Sequence, residues 1–245
     1  MKEILKSEGI VINVREYKDN NAILSIMSEN GLNSFMVRGV YKQGSRTNKF
    51  AQILTYLSFN YSKSNLPLIT EAYIDENYSD IKLDMDKYNS ILIIIEKLNQ
   101  FYNVINNNSL IYHFFLDCIN LIRDSKYPMM VALIFEIKLL YLLGISPILN
   151  ECVICGNKNI TQFGCINLHN GGFICQNCLR RYYPSLNHEE SMMFKKIYTT
   201  KINKIDESAL GLYNQYPKLL SFIDDYYLYH LEFNSKVKKV LKEMN

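Results

Sequence analysis

Residues 68–105 read LITEAYIDENYSDIKLDMDKYNSILIIIEKLNQFYNVI, and within them the hydrophobic period changes. Leu68, Ala72 and Ile74 are separated by even steps, which places them on one face of an extended chain. From Tyr88 onward the steps become three and four. Tyr88, Ile91, Leu92, Ile95, Leu98, Phe101, Tyr102 and Ile105 therefore share one face of a helix. A chain that is strand-like before about residue 80 and helical after it predicts an α+β fold with segregated elements.

Upstream of this switch the extended pattern continues back to the start. Ile10, Ile12 and Val14 alternate with Val11, Asn13 and Arg15, the first set forming the apolar face of a strand. Ile23 to Met27 and Ser34 to Val37 are two more strands, joined by the turn-like Ser28-Glu29-Asn30-Gly31. Ile53, Leu57, Phe59 and Tyr61 share a face of a fourth, with Thr55 as its polar exception. The polar turn Ser62 to Asn65, followed by Pro67, leads into the fifth. Five short strands punctuated by turns suit a small barrel or sandwich. Arg38 to Phe50 is polar, basic and contains Gly39 and Gly44, which predicts a mobile loop or short helix between the third and fourth strands.

Charge is distributed unevenly along this first part. The whole chain of 245 residues carries a formal net charge of only +3, which identifies no partner. From Asn30 to Thr70, however, there is no Asp or Glu, while Arg38, Lys42, Arg46, Lys49 and Lys63 all fall there. Such a stretch makes a local field that favours a polyanion. Lysines guarding a sheet edge against aggregation would produce the same pattern. Tyr41, between Arg38 and Lys42, is placed to stack on an unpaired base.

Downstream, Leu110, Phe114, Cys118 and Leu121 mark a second helix after the break at Asn106-Asn107-Asn108. Pro128 opens a third, which runs to Leu143 and stops at Gly144 with Pro147 beyond. Asn187 and Glu190 have the spacing of a capping box. Pro217 starts a tyrosine-rich helix, and Ser235 precedes a last, lysine-rich one. At helical spacing, Tyr226, Tyr227 and Tyr229 read as core and rim. The pairs Asp224-Asp225 and Glu189-Glu190 read as solvated helix faces.

Two Cys-x-x-Cys pairs, Cys152-Cys155 and Cys175-Cys178, interrupt the helices. Each pair lets a tight turn aim two thiolates at one ion, and tetrahedral zinc takes four such ligands. A redox dithiol or an iron–sulfur cluster would use the same residues. Cys165 and His169 lie between the pairs, where Gly164, Asn170, Gly171 and Gly172 argue against a helix, so both are expected near the metal without touching it. Four thiolates would close the coordination shell, which makes a structural rather than catalytic zinc. A zinc nuclease or deaminase would need an open position and a carboxylate base. No phosphate-binding glycine loop, nucleophile elbow or zinc-protease motif occurs, and the four histidines have no assignable partners. The first eight residues lack the apolar run of a secretory leader. No apolar run approaches the roughly 20 residues of a membrane helix. A soluble cytoplasmic protein with no membrane contact is expected, and not an enzyme.

Several of these segments together resemble the RecO family of bacterial recombination mediators. They are Glu8-Gly9-Ile10-Val11 with Arg15-x-Tyr17, the Gly31 turn, and Arg38-Gly39-x-x-Lys42 running into Ser45-Arg46. Further on come Leu142-Leu143-Gly144-Ile145-x-Pro147, Cys152-x-x-Cys155, and Gly171-Gly172-Phe173-Ile174-Cys175-x-x-Cys178. The resemblance implies an OB-fold barrel at residues 1–80 and a helical domain at 81–149 and 181–245. A zinc-binding insertion at 150–180 completes it. It implies binding of single- and double-stranded DNA, annealing of complementary strands, and, with RecR, loading of RecA onto strands coated by single-strand-binding protein at the nucleoid. By position, Arg38, Lys42 and Arg46 match the family's basic segment, and with Tyr41 and Lys49 they are the expected DNA contacts. Cys152, Cys155, Cys175 and Cys178 are the expected zinc ligands. Two departures stand out: Val40-Tyr41-Lys42-Gln43 is less basic than in many relatives, and Asn20 replaces a common acidic residue. An RNA-binding module built from the same barrel and zinc knuckle is the alternative of a different class.

Overall fold

In a computed structural model, residues 3–158 and 164–244 are described; Lys2 of the charged start lies outside them. The strands are β1 (Ile4–Tyr17), β2 (Asn21–Ser28), β3 (Gly31–Val37), β4 (Tyr56–Ser62) and β5 (Leu68–Glu76). They close into a barrel in the order β1-β2-β3-β5-β4, with β3 and β5 parallel and the other pairs antiparallel. This is the five-stranded OB topology.

The face of β1 that lines the barrel differs from the one expected. Val11 and Val14 pack into the interior with Leu24, Ile26, Phe35, Leu57 and Phe59, while Ile10 and Ile12 belong to the other face. The pairing of β1 with β2 shifts register between Val11 and Asn13, leaving Ile12 as the extra residue of a bulge. One added residue re-phases a two-residue repeat, so two side chains three apart both point inward. Ile10 and Ile12 are fully buried nonetheless. Gly9 permits the close approach of β1 to β2, since a Cβ there would collide with the Met27 carbonyl oxygen. The fourth strand also starts later than its pattern implies. Leu54 adopts a left-handed conformation (φ 58°) and the strand begins at Tyr56, so Ile53 precedes it. Phe35, Phe59 and Tyr61 fill the centre, with Phe35 4.8 Å from Phe59 and 5.1 Å from Tyr61 between ring centroids.

The helices are α1 (Ser79–Lys82), α2 (Met85–Phe101), α3 (Asn108–Asp124), α4 (Pro128–Leu142), α5 (His188–Thr199), α6 (Glu207–Tyr213), α7 (Lys218–Leu231) and α8 (Lys236–Met244). The chain forms two compact units: Met1–Asp84 with Leu98–Leu116, and Met85–Lys97 with Asp117–Asn245. In the first unit Asn99 donates to the Ile12 carbonyl (3.2 Å), covering the outside of the bulge. The buried face of α3 is Ile111, Tyr112, Phe115, Cys118, Ile119 and Ile122, one position round from the expected one, while Leu110 is exposed.

In the second unit α4 is buried on nearly every side and packed by α5, α6 and α7. A helix surrounded in this way can be apolar all round. Its one acid, Glu136, is buried and pairs with Lys97 (3.1 Å) and Lys238 (2.7 Å). Asp224 is not simply a solvated acid: it takes Lys238 (2.6 Å) and Lys242 (3.2 Å). Asn187 and Glu190 form the expected capping box at the start of α5. At the start of α8 the Glu96 carboxylate accepts from the amides of Lys236 (2.7 Å) and Val237 (3.2 Å). No helix among the described residues is long and apolar enough to cross a membrane.

Candidate metal centre and nucleic-acid interface

Two short turns build the cysteine site. In the first, Gly156 N–H donates to the Cys152 carbonyl and Cys152 N–H to the Asn157 carbonyl, both at 2.8 Å. Gly156 takes the left-handed φ of 70° that this tight reversal demands. In the second, the amides of Cys178 and Leu179 both donate to the Cys175 carbonyl at 3.0 Å. A small hairpin of β6 (Cys165–Asn167) and β7 (Gly172–Ile174) delivers the second pair. Residues 148–153 run beside β7, with Ile148 and Val153 bonded to Gly171 and Phe173. Gly172 is obligatory in this packing, because a Cβ would meet the Ile148 carbonyl oxygen and sit 2.7 Å from Val153 Cγ1.

The result brings the sulfur atoms of Cys152, Cys155, Cys175 and Cys178 within 4.8 Å of one another. Cys155 and Cys175 sulfurs are 3.7 Å apart. Metal–sulfur bonds of ~2.3 Å at tetrahedral angles require an edge of about 3.8 Å, whereas a disulfide requires ~2.05 Å. The donors thus fit one tetrahedral ion. Burial pushes the Cys152 thiol up, but amide N–H groups of Cys175, Cys155 and Ile154 outweigh it and hold it down at about 6. Burial and the neighbouring thiols push Cys178 up to about 12. Four sulfurs this close cannot all ionise without a cation among them. The Cys175 amide donates to Cys152 Sγ at 3.3 Å, an outer-sphere bond that orients the ligand.

Cys165 is buried in β6, outside the sulfur cluster. His169 stands against the Tyr229 ring, 4.7 Å between centroids, and is not part of the cluster either. The insertion is tied to its helices through Lys195 to the Leu149 carbonyl (2.7 Å), His230 to the Leu168 carbonyl (3.1 Å) and Ile166 N–H to Ser191 Oγ (2.8 Å).

The second candidate region is the β3–β4 connection. A 3-10 turn at Asn48–Phe50 is its only regular element among the described residues. Val40 is 1% exposed and belongs to the barrel core, so the loop is plugged into the barrel. Ser45 Oγ accepts from the amides of Thr47 and Asn48 at 3.2 Å, and Thr47 Oγ1 donates to the Arg38 carbonyl at 3.0 Å. With the backbone occupied internally, Arg38, Tyr41, Lys42, Arg46 and Lys49 are all left exposed. Gly39 N–H bonds the Asn21 side chain and Tyr41 N–H the Asn20 carbonyl, both at 3.0 Å. These bonds bring the β1–β2 turn, with Lys18, beside the basic loop. Sequence reasoning passed over Lys18 because the two segments are separated along the chain. The Asn20-Asn21 pair that makes the bridge was its available signal.

The model of the family Recombination protein O N terminal matches residues 1–78, and that of Recombination protein O C terminal matches residues 83–239. The chain is similar to the DNA repair protein RecO of Bacillus pumilus, at 26% identity over 98% of this chain and 94% of that protein. It is similar to the RecO protein of Exiguobacterium sibiricum at 27% identity, covering 98% and 96%. The RecO protein of Bacillus subtilis is 24% identical, covering 98% and 95%.

Proposed function

The chain belongs to the Recombination protein O (RecO) family, and from that membership we propose that it is a non-enzymatic recombination mediator. In this reading it binds single- and double-stranded DNA and anneals complementary strands. With RecR it helps load RecA onto strands coated by single-strand-binding protein, in the cytoplasm at the nucleoid. The observation that carries the reading is an OB barrel bearing an exposed, internally braced basic loop with an aromatic residue in it. A positive surface with a stacking side chain is how OB barrels take single strands without strong sequence preference. Arg38, Lys42, Arg46 and Lys49 would hold phosphates, Lys18 would add to them, and Tyr41 would stack on a base. In this reading the activity is one of binding and strand pairing.

The four cysteines would hold one zinc ion, which ties the two turns together and supplies folding free energy rather than reactivity. In this reading the barrel meets DNA and the helical domain meets partner proteins. The test is annealing of complementary strands, each coated with the cognate single-strand-binding protein, without ATP. Acceleration by this chain, and further stimulation by RecR, is expected. No binding to the coated strands and no annealing would defeat the proposal.

A further inference from the structure

Arg180, Arg181, Tyr182 and Tyr183 follow the second cysteine pair after Leu179, and all four are exposed. Tyr183 is 89% exposed. Single exposed tyrosines are ordinary, but two beside two arginines on a fixed backbone are not. The amides of Arg181 and Tyr182 donate to the Cys178 carbonyl at 3.0 and 3.2 Å. The Asn167 side chain donates to the Tyr183 carbonyl at 2.6 Å. Beyond Pro184, the amides of Ser185 and Leu186 donate to the Ile166 carbonyl at 2.8 and 3.1 Å. The segment is pinned at both ends to the metal turn and to β6, with Tyr183 almost wholly in solvent and Tyr182 37% exposed.

Its charge is one-sided as well. Between Cys152 and His188 there is no Asp or Glu, and Lys158, Arg180 and Arg181 are the fixed cations. Neither arginine makes an ion pair with any described residue. Four thiolates around a divalent ion would carry two negative charges, which offset much of the insertion's general field. Attraction to phosphate is then local to the two arginines, and stacking must supply the rest.

We infer that Arg180–Tyr183 is a second contact surface for single-stranded DNA, distinct from the barrel loop, with the tyrosines stacking on bases and the arginines holding phosphates. The inference rests on the reading of this chain as a single-strand binder. A preset backbone lowers the ordering cost of binding, because only side-chain rotamers remain to be restricted. Two surfaces, one in each compact unit, would let one chain engage two strands, as annealing demands.

The test uses the full-length, metal-loaded chain and a fluorescent oligo-dT, read by anisotropy. Removing one tyrosine from a base stack costs roughly 5- to 150-fold in affinity. Tyr182→Ala with Tyr183→Ala is therefore expected to lose about 5-fold or more on oligo-dT. Binding to duplex, whose bases are already stacked, should be unchanged. Tyr183→Phe keeps the ring and should bind like the parent. Arg180→Ala with Arg181→Ala should lower the log–log salt slope by about 1.4. Parent-like oligo-dT binding by the double tyrosine variant, or an equal loss on duplex, overturns the proposal. Should that variant lose its metal or its melting temperature, the parent chain decides. Irradiated with a 5-iododeoxyuridine strand, it should cross-link in the peptide containing Tyr182 and Tyr183, and no cross-link there overturns the proposal. A parent that binds no single strand at all defeats instead the reading on which it rests.

Discussion

Glu136→Gln removes the one acid of α4 while keeping its shape, and its cost follows from the neighbours. The side chains of Glu136 and Lys97 are each 1% exposed, and Lys97 Nζ lies 3.1 Å from the carboxylate. At that separation, with an effective dielectric constant near 20, a pair of unit charges attracts by about 5 kcal/mol. Lys238 is less affected, because it keeps Asp224 at 2.6 Å. Lys97 would keep a neutral amide oxygen in place of the carboxylate, the weaker pull of Asp224, and the faces of Tyr227 and Phe233, whose centroids lie 3.8 and 4.2 Å from its nitrogen. Such contacts are worth about 2 kcal/mol when desolvated. Burial already lowers the Lys97 pKa, and the opposing pull comes first from Glu136. The net expectation is a loss of about 3–5 kcal/mol, the usual consequence of leaving a buried charge unpaired. With no Trp in the chain, circular dichroism at the helical minimum in urea is the appropriate assay. A slope of roughly 2–3 kcal/mol per molar turns that loss into a midpoint lower by about 1–2.5 M. Adding Lys97→Met should recover part of the loss by removing the stranded cation. A Glu136→Gln midpoint within about 0.3 M of the parent, or no recovery in the double variant, would refute the reasoning.

Other expectations are as direct. Cys175→Ser should abolish stoichiometric metal binding, measured by elemental analysis, and lower stability by several kcal/mol, since structural metal affinity is folding free energy. Gly172→Ala should cost about 1–3 kcal/mol by thermal denaturation and weaken metal retention, because the new Cβ displaces the Ile148 strand. Replacing Arg38, Lys42 and Arg46 together by Ala should reduce the salt slope of single-strand binding by about 2, at three phosphates and ~0.7 each. An unchanged slope would place DNA elsewhere. Burial, then the Glu136 charge, raises the Tyr227 phenol well above 10.0. The folded chain then keeps a proton that the unfolded chain releases near that pH. Its contribution is present below pH 10 and lost above it, so the melting temperature should fall there, less steeply in Tyr227→Phe.

What could be read along the chain was local. The change of period near residue 80 separates strands from helices because each side chain's direction depends only on its own backbone repeat. The cysteine pairs and the Asn187–Glu190 cap are legible because their partners are three residues apart. The exposure of the barrel-loop cations follows from polar residues with no apolar period. Some patterns misled through one displaced residue: the Ile12 bulge re-phased β1, and α3 turned its buried face one position from Leu110 to Ile111.

Other features had no local signal at all. Glu136 meets Lys97 and Lys238 across separations that no spacing rule connects, and an acid inside an apolar helix is legible only once its cations are placed. Lys18 joins the basic loop through a turn-to-loop hydrogen bond, and Arg180–Tyr183 is set by bonds to Cys178, Ile166 and Asn167. The sequence by itself determined where strands give way to helices, where the paired cysteines sit and that residues 30–70 are basic. Only the tertiary structure decided which face of each element is buried, which charges are paired and which aromatics stay in water. Those depend on register and packing between segments far apart in the chain, where one residue of slip exchanges inside for outside.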